Sequence, residues 1–433
     1  MDVPDGSTVQ HAVPTRRFLF VMFNGGGNVP AQLSIARRLV ARGHAVHVLA
    51  DHAVERHAVA SGCHFHPFRY APPGMSETPD ERLRAQERES SFAKLKRAGD
   101  EIMFGPAPLH ARDVCETLDE VAPHTIAVDC LMFGAMAAAE WSAVPSAVLT
   151  HFPLHGPVAG ATPGGLGLAP AHGWWGRLRD GLFDVVKRRV SAPGLRTVNA
   201  TRASLGLAPL ADVFEQLLRL DRSLMLMPRE FDFVPGGLPP TVQYVGAQLD
   251  DPVLPGVVAP AADAESGRPL VLLSLGSTYQ AQERPFARSV EALGTLPVRA
   301  LASHGLLDAP AGPTPDNVQV TRWLAHGELI PKASAMVCHG GLGTIMKALS
   351  HGVPLVVIPL GRDQHDNASR VEVGGVGVRV SPSASSRRIA QAVRTVLEDR
   401  RYRAQAQRMA AHIARDVARD AAVAELEALA TAP

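Results

Sequence analysis

The residues best suited to chemistry lie in one glycine-rich segment, His339-Gly-Gly-Leu-Gly-Thr344, between a predicted strand ending at Cys338 and a predicted helix. Glycines at such a turn let backbone amides approach a ligand, and the helix N-terminus adds unpaired N–H groups and partial positive charge. His339 and Thr344 can each donate a hydrogen bond to a phosphate oxygen. The segment predicts a diphosphate site, with a plain tight turn around a buried histidine as the alternative. The predicted contacts are His339, Gly340, Gly341, Gly343 and Thr344.

Polar residues follow other predicted strands at the same edge of the sheet. Ser274-Leu-Gly-Ser-Thr278 supplies hydroxyl groups, including that of Ser277, for the same phosphates. Asp363 and Gln364 offer a carboxylate and an amide to the vicinal hydroxyls of a sugar. Trp323, with Leu324 beside it, follows the strand at 318–320 and can stack on a flat base. Together these residues predict a cradle for a nucleotide sugar, without a metal-ligand cluster.

The elements that position these residues alternate between strand and helix. Short apolar runs at 18–23, 45–50, 125–128 and 145–150 are separated by helical patterns, which predicts a parallel α/β sheet. A second series of the same kind begins at 270. We therefore predict a loose tail (1–14), a first Rossmann-like domain (15–234), a linker (235–269), a second Rossmann-like domain (270–415) and a C-terminal helix (416–433).

Composition excludes several classes of protein. The formal net charge of +1 gives no electrostatic reason to expect a nucleic-acid partner. The four cysteines show no CxxC pair and no histidine spacing suited to zinc, so we expect free thiols in a reducing compartment. No secretory signal or membrane-spanning run is apparent, which favours a cytoplasmic location.

From Trp323 to Ala368 the sequence resembles the GT-B fold glycosyltransferases that decorate natural products, and it is similar to UDP-glycosyltransferases generally. The motif runs from Trp323 through fifteen residues to His-Gly-Gly-x-Gly-Thr, then Gly352-Val-Pro354, Asp363-Gln364 and Asn367-Ala368. The resemblance implies two Rossmann-like domains facing across a cleft, with the last helix crossing back to the first. It also implies an inverting, metal-independent enzyme with no cofactor, using a TDP- or UDP-sugar and a hydrophobic small-molecule acceptor. A homodimer is left open.

By this resemblance Ser277, His339, Gly341 and Thr344 would contact the diphosphate. Trp323 and Leu324 would contact the base, and Asp363 and Gln364 the sugar. The family usually has an acidic residue after the phosphate turn, where this chain has Lys347.

A second departure concerns catalysis. The family's first loop reads Gly-His-x-x-Pro, with the histidine as general base, whereas this chain reads Gly26-Gly27-Asn28-Val29-Pro30. Asp129, at the end of a strand, matches the carboxylate that usually orients that histidine, and we predict that it acts as the base itself. The alternatives are a capping role for Asp129, a base role for His151 or His155, and an acceptor acidic enough to need little help, such as an activated phenol, an enol or an electron-rich carbon. The predicted acceptor pocket is lined by Asn24, Gly26, Gly27, Phe133, Phe152, His155 and Trp174.

Three other functions fit parts of the sequence. Gly25-x-Gly27 with Asp51 is reminiscent of a dinucleotide fingerprint, which suggests an oxidoreductase but ignores the C-terminal cradle. A GT-B sugar-nucleotide epimerase would need no acceptor pocket. A catalytically inactive nucleotide-sugar-binding subunit is compatible with Gly27.

Overall fold

The computed structural model describes residues 14–74, 96–154, 158, 160–234, 236–249, 267–276, 278–307 and 313–431. The described residues form two parallel sheets, each covered by helices on both faces, as the alternating sequence pattern predicts. None of the helices within these ranges is both long enough and apolar enough to traverse a lipid bilayer.

The central strands of the first sheet are buried apolar runs, which parallel strands require where both faces of the sheet are covered. Its strands lie in the order β3-β2-β1-β4-β5-β6-β7. They are β1 (Arg17–Val21), β2 (Ala45–Ala50), β3 (His64–Pro67), β4 (Thr125–Asp129), β5 (Ser146–Thr150), β6 (Arg222–Met225) and β7 (Val242–Tyr244). Because β7 pairs with β6, the first sheet extends into the segment that the sequence pattern assigned to a linker.

The helices of the first domain follow its strands. They are α1 (Asn28–Ala41), α2 (His52–Ala60), α3 (Ala107–Val121), α4 (Phe133–Ser142) and α5 (Gly173–Ser204), with short helical turns at Ala98–Met103, Val213–Leu218 and Arg229–Phe231. Asp51 is the N-cap of α2 and accepts a hydrogen bond from the backbone N–H of Ala53 (2.9 Å). This residue, which would bind ribose in a dinucleotide site, therefore has a capping role.

The second sheet has the order β10-β9-β8-β11-β12-β13. Its strands are β8 (Leu270–Ser274), β9 (Arg299–Ser303), β10 (Val318–Thr321), β11 (Ala335–Cys338), β12 (Leu355–Val357) and β13 (Gly377–Arg379). The helices are α6 (Glu283–Gly294), α7 (His326–Leu329), α8 (Leu342–Ser350), α9 (Gln364–Val373) and α10 (Ser386–Glu398), with a short helical turn at Ile330–Lys332.

Two further helices join the domains at the C-terminal end. Helix α11 (Arg400–Arg419) packs on α8, and the chain turns at Asp420, which has a left-handed φ of 47°. Helix α12 (Ala421–Ala430) then lies against α1 and β4 of the first domain. Arg42 pairs with Asp420 (2.7 Å) and with Glu427 (2.7 Å), which fixes α12 on α1.

Each sheet has a point at which the strand order reverses. In the first sheet it lies between β1 and β4, and in the second between β8 and β11. Ligands of open parallel sheets bind at the carboxyl ends of the strands beside such a point. We therefore expect the ligand site among the loops that follow β1, β4, β8 and β11.

Candidate active site

Asp129 ends β4 and is completely buried. Its Oδ2 atom accepts hydrogen bonds from Nδ2 of Asn28 (2.7 Å) and from Nε2 of Gln32, and its Oδ1 atom accepts one from the backbone N–H of Leu131 (2.9 Å). These three hydrogen bonds hold the carboxylate in place. The role of Asp129 as the base stays a prediction, and the same geometry also suits a carboxylate that positions a neighbouring side chain.

His151 is the side chain that Asp129 can position. The register of β4 and β5 pairs Asp129 with Leu149, so His151 emerges just beyond the same edge of the sheet. Its Nδ1 atom lies 3.7 Å from Oδ2 of Asp129 and 3.4 Å from Sγ of Cys130, and its side chain is 20% exposed. The ring of Phe152 packs edge-on against the imidazole, with 5.6 Å between the ring centres. His151 is therefore held on one side and accessible on the other.

The glycine loop after β1 leaves open space where a histidine would be expected. Gly26 has a φ of 89°, a backbone conformation that glycine adopts without strain. A Cβ atom placed on Gly27 would meet no other atom within 4 Å. Asn28 bridges the loop to the sheet, since its amide also donates to the backbone carbonyl of Phe23 (2.7 Å). Asn24 is buried beside this loop.

The predicted diphosphate turn follows β11. Gly341 is the N-cap of α8 and provides no side-chain cap, so the N–H groups of the first turn are left for a ligand. Gly340 has a φ of 96°, and Thr344 lies in the first turn of the helix. Burial, with the nearby positive charge of Arg362, lowers the pKa of His339 to about 4. His339 is therefore neutral near pH 7, and its ring bonds to the backbone of Ser274.

The residues predicted to contact the base and the sugar differ in which of their atoms a ligand could reach. A Cβ placed on Gly305 would lie 3.7 Å from the indole of Trp323, which puts this ring beside the loops after β8 and β9. Leu324, in contrast, is buried in the hydrophobic core, so a contact with a base would have to use its backbone. Asp363 is the N-cap of α9 and accepts a hydrogen bond from Asn367 (2.7 Å). Burial raises the pKa of its carboxyl group.

Gln364 is already engaged within the protein. Its Oε1 atom accepts from the backbone N–H groups of Leu360 (2.8 Å) and Gly361 (3.1 Å), and its Nε2 atom donates to Oε1 of Gln280 (2.7 Å). The predicted contact of Gln364 with a sugar would require exchange of the bond to Gln280. Its present role is to tie the loop after β12 to the loop after β8.

The two halves of the site face one cleft. A Cβ placed on Gly343 would lie 4.0 Å from the backbone oxygen of Gly27. His151 and Asp363 are close enough to interact electrostatically. The glycine loop and His151 of the first domain therefore oppose the phosphate turn and Asp363 of the second.

The other predicted acceptor contacts are less well supported. Phe133 is fully buried and packs edge-on against Phe104, with 4.9 Å between the ring centres. It belongs to the core of the first domain, which contradicts its predicted place in an open pocket. Trp174 is 57% exposed and stacks on Trp175 at the start of α5. Ser277 and His155 lie outside the described residues.

Sequence reasoning missed three residues of this site. Cys130 contacts His151, and Gln280 contacts Gln364. Arg362 has a positive φ of 56° between Gly361 and Asp363. Arg362 carried a signal, because a charged residue within a predicted ligand loop is a reasonable phosphate contact. The contacts of Cys130 and Gln280 depend on strand register and loop packing, which no local pattern encodes.

Two Rossmann-like domains that face one cleft, with a glycine-rich turn at a helix N-terminus of the second, are the architecture of the GT-B class. Comparisons with known proteins agree. The 4'-demethylrebeccamycin synthase of Lentzea aerocolonigenes is 30% identical over 415 residues, which cover 94% of this chain and 97% of that protein. Residues 307–429 match the family described as Erythromycin biosynthesis protein CIII-like, C-terminal domain.

Solved structures show the same fold. The structure of the glycotransferase of kitacinnamycin has a TM-score of 0.73 at 22% identity, covering 96% of this chain and 99% of that one. The glycosyltransferase VinC in complex with dTDP has a TM-score of 0.65 at 20% identity, covering 94% and 99%. The chain belongs to the GT-B natural-product glycosyltransferases. It is a glycosyltransferase enzyme, as the motif from Trp323 to Ala368 predicted.

Proposed function

We propose that this glycosyltransferase transfers a sugar from a TDP- or UDP-sugar to an apolar small-molecule acceptor, with inversion at the anomeric carbon and without a metal ion. The complex of VinC with dTDP, in a protein of the same fold, supports a thymidine nucleotide as the first choice of donor. The relative named as a rebeccamycin synthase supports a natural-product acceptor.

Binding of the donor without a metal is supported by the chemistry of the phosphate turn. The uncapped N-terminus of α8 provides N–H groups and a partial positive charge, and neutral His339 adds a hydrogen bond. These groups can offset the charge that develops on the leaving diphosphate. Trp323 would cover the base, and Asp363 would bind sugar hydroxyls.

The observation that carries the mechanism is the position of His151, partly exposed and 3.7 Å from a buried carboxylate. Nδ1 faces Asp129 and Cys130, so Nε2 is the nitrogen left to take a proton from the acceptor. The deprotonated acceptor then attacks the anomeric carbon from the side opposite the diphosphate, and a single displacement of this kind inverts the configuration. Asp129 keeps the imidazole oriented and stabilises the imidazolium that forms.

The test compares His151→Ala and Asp129→Asn with the wild-type enzyme. TDP-glucose and UDP-glucose are offered with hydroxyl-bearing aromatic aglycones, and products are followed by mass spectrometry. A general base contributes roughly 10²–10⁴-fold, so His151→Ala is expected to lower kcat by about that factor. Asp129→Asn is expected to lower kcat less, because the base remains.

Both variants should keep the stabilisation by TDP against thermal unfolding that the wild type shows, since neither residue belongs to the phosphate turn. The proton magnetic resonance coupling of the anomeric proton in the product reports inversion. Wild-type kcat in His151→Ala would exclude this histidine as the base, and retained anomeric configuration would exclude a single displacement.

A further inference from the structure

Three potential metal ligands converge at the floor of the cleft. They are Asp129 at the end of β4, Cys130 directly after it and His151 directly after β5. One ligand atom from each residue lies within 4.8 Å of the other two. No local sequence pattern reveals this group, because twenty-one positions separate Cys130 from His151 and the pairing of β4 with β5 brings them together.

The distances fit a tetrahedral ion. Zinc bonds of about 2.0–2.3 Å place the ligand atoms of a tetrahedral site roughly 3.3–3.7 Å from one another. Sγ of Cys130 lies 3.4 Å from Nδ1 of His151, and that nitrogen lies 3.7 Å from Oδ2 of Asp129. The third pair, Sγ of Cys130 and a carboxylate oxygen of Asp129, lies within 4.8 Å. An ion on Oδ2 of Asp129 would share that atom with, or displace, the hydrogen bonds from Asn28 and Gln32.

A further carboxyl group lies near these three residues. Asp363, at the N-terminus of α9, is close enough to interact electrostatically with both Cys130 and His151. It brings a further acidic side chain to the group from the second domain.

We propose that Asp129, Cys130 and His151 form a binding site for a divalent cation of zinc type, and that its occupancy inhibits sugar transfer. The thiol, imidazole and carboxylate are ligand types that Zn²⁺ and Co²⁺ bind, whereas Mg²⁺ and Ca²⁺ prefer oxygen alone. On binding, the Cys130 thiol loses its proton to solvent and a metal–sulfur bond forms, while the histidine binds as the neutral imidazole. No redox change is involved.

The inhibition rests on the proposed role of His151. An ion on Nδ1 leaves the single proton of the neutral ring on Nε2. That nitrogen can then no longer accept a proton from the acceptor. The ion thus competes with catalysis without touching the phosphate turn, so binding of TDP should be unaffected.

Binding is tested first, independently of activity, with the tag-free, fully reduced chain and CoCl₂. Co²⁺ bound to a thiolate gives a charge-transfer band in the near ultraviolet, which cobalt bound only to histidine nitrogens does not. We expect this band to saturate at one Co²⁺ per chain and to disappear when Zn²⁺ is added. Absence of the band in the wild-type protein would overturn the proposal.

Two variants assign the band. Cys130→Ser should abolish it, whereas Cys115→Ser should keep it, because the half-buried Cys115 lies on α3 and away from the cleft. His151→Ala leaves the thiol in place. Because His151 is partly exposed, this variant tests the site even if replacement of the buried Cys130 disturbs folding. Loss of an outer-shell partner alone weakens metal sites by roughly 10–100-fold, so loss of this ligand should raise the Kd for Co²⁺ at least that much. An unchanged band in Cys130→Ser or an unchanged Kd in His151→Ala would contradict the assignment.

Activity is measured second. Zn²⁺ should inhibit transfer by the wild type and by Cys115→Ser, and EDTA should restore the rate. If Zn²⁺ inhibits although the cobalt band is absent, the proposed metal site is wrong. If the band is present but Zn²⁺ does not inhibit, the metal site stands and His151 is not the base.

Discussion

Asp129 and the residues around it form a hydrogen-bonded group beside the glycine loop after β1. Gly27 provides no proton acceptor, yet Asp129 still lies at the end of β4 with Asn28 and Gln32 bound to it. A carboxylate that accepts three hydrogen bonds at a fully buried position is well suited to orient a neighbour. His151, from the next strand, is the neighbour it can orient.

At the phosphate turn, Gly341 is required by a close approach of His339. A Cβ on Gly341 would lie 2.6 Å from Nε2 of that ring, so Gly341→Ala must displace the imidazole or the turn. A hydrogen bond to a charged group contributes about 1.5–3 kcal/mol, which corresponds to a rise of roughly 10–100-fold in the Kd for TDP. Isothermal titration calorimetry measures this change.

The control for Gly341→Ala is Gly181→Ala on α5, where an added Cβ meets nothing within 4 Å. It should bind TDP like the wild type. Equal Kd values for all three proteins would mean that His339 does not contact the phosphates.

At the scale of helices and strands, the sequence predicted the buried elements well. The runs at 45–50 and 335–338 are strands β2 and β11 with the same bounds, and the helices at 133–142 and 283–294 are α4 and α6. Buried parallel strands are continuous apolar runs, so their composition alone identifies them.

The edge strands and the contacts between elements could not be predicted in this way. Strand β3 reads His-Phe-His-Pro and is partly exposed, and β13 has only three residues. Neither strand contains a continuous apolar run, so neither shows the pattern that identifies a buried strand. Likewise, His151 was one of several alternatives, because its distance from Asp129 follows from the register of β4 and β5.

Helix α3 carries a buried histidine that should make stability depend on pH. His110 is 2% exposed, and burial lowers its pKa to about 4. Between about pH 6.5 and 4 the unfolded chain therefore binds a proton at His110 that the folded chain does not. The stabilisation is complete above the unfolded pKa and is lost as the pH falls through this window, by up to roughly 1.4 kcal/mol per pH unit.

Replacing His110 with a neutral side chain should remove this contribution. His110→Gln and His110→Phe differ in polarity and shape, so their stabilities at pH 7 will differ. Both should show a smaller loss of unfolding free energy between pH 6.5 and 5 in urea titrations. A slope equal to that of the wild type in both variants would mean that His110 is protonated in the folded protein.

At the scale of the whole molecule, the two domains share a hydrophobic core. One buried cluster joins Met225, Phe231 and Val242 of the first domain to Leu349, Val371 and Met409 of the second domain and its following helix. Helix α12 in turn completes the core of the first domain with Val423 and Leu426. The domains are therefore expected to unfold together.

A buried ion pair crosses the same interface. Nε of Arg370, on α9, donates to Oδ1 of Asp232 (2.7 Å), and both side chains are almost completely buried. Asp232 also accepts from the hydroxyl of Tyr244 (2.8 Å) and the backbone N–H of Leu154 (2.9 Å), while the guanidinium lies over the ring of Phe233. Because Asp363, which we propose binds the sugar, is the N-cap of α9, this pair would connect donor recognition to the position of the domains.

Removing one partner of a buried pair leaves the other charge uncompensated, so Arg370→Met should lower the free energy of unfolding by about 3–5 kcal/mol. Tyr244→Phe removes one hydrogen bond from the same carboxylate and should cost only about 1 kcal/mol. Arg401→Met, at an exposed pair with Asp399, should leave the urea midpoint unchanged.

Trp323 is the one tryptophan of the second domain and Trp141, Trp174 and Trp175 lie in the first, so fluorescence of single-tryptophan variants follows each domain separately. In the wild type both domains should unfold in one transition. In Arg370→Met the transitions of the two domains should no longer coincide. If Arg370→Met costs no more than Tyr244→Phe, the ion pair does not hold the domains together, and the shared apolar core alone does so.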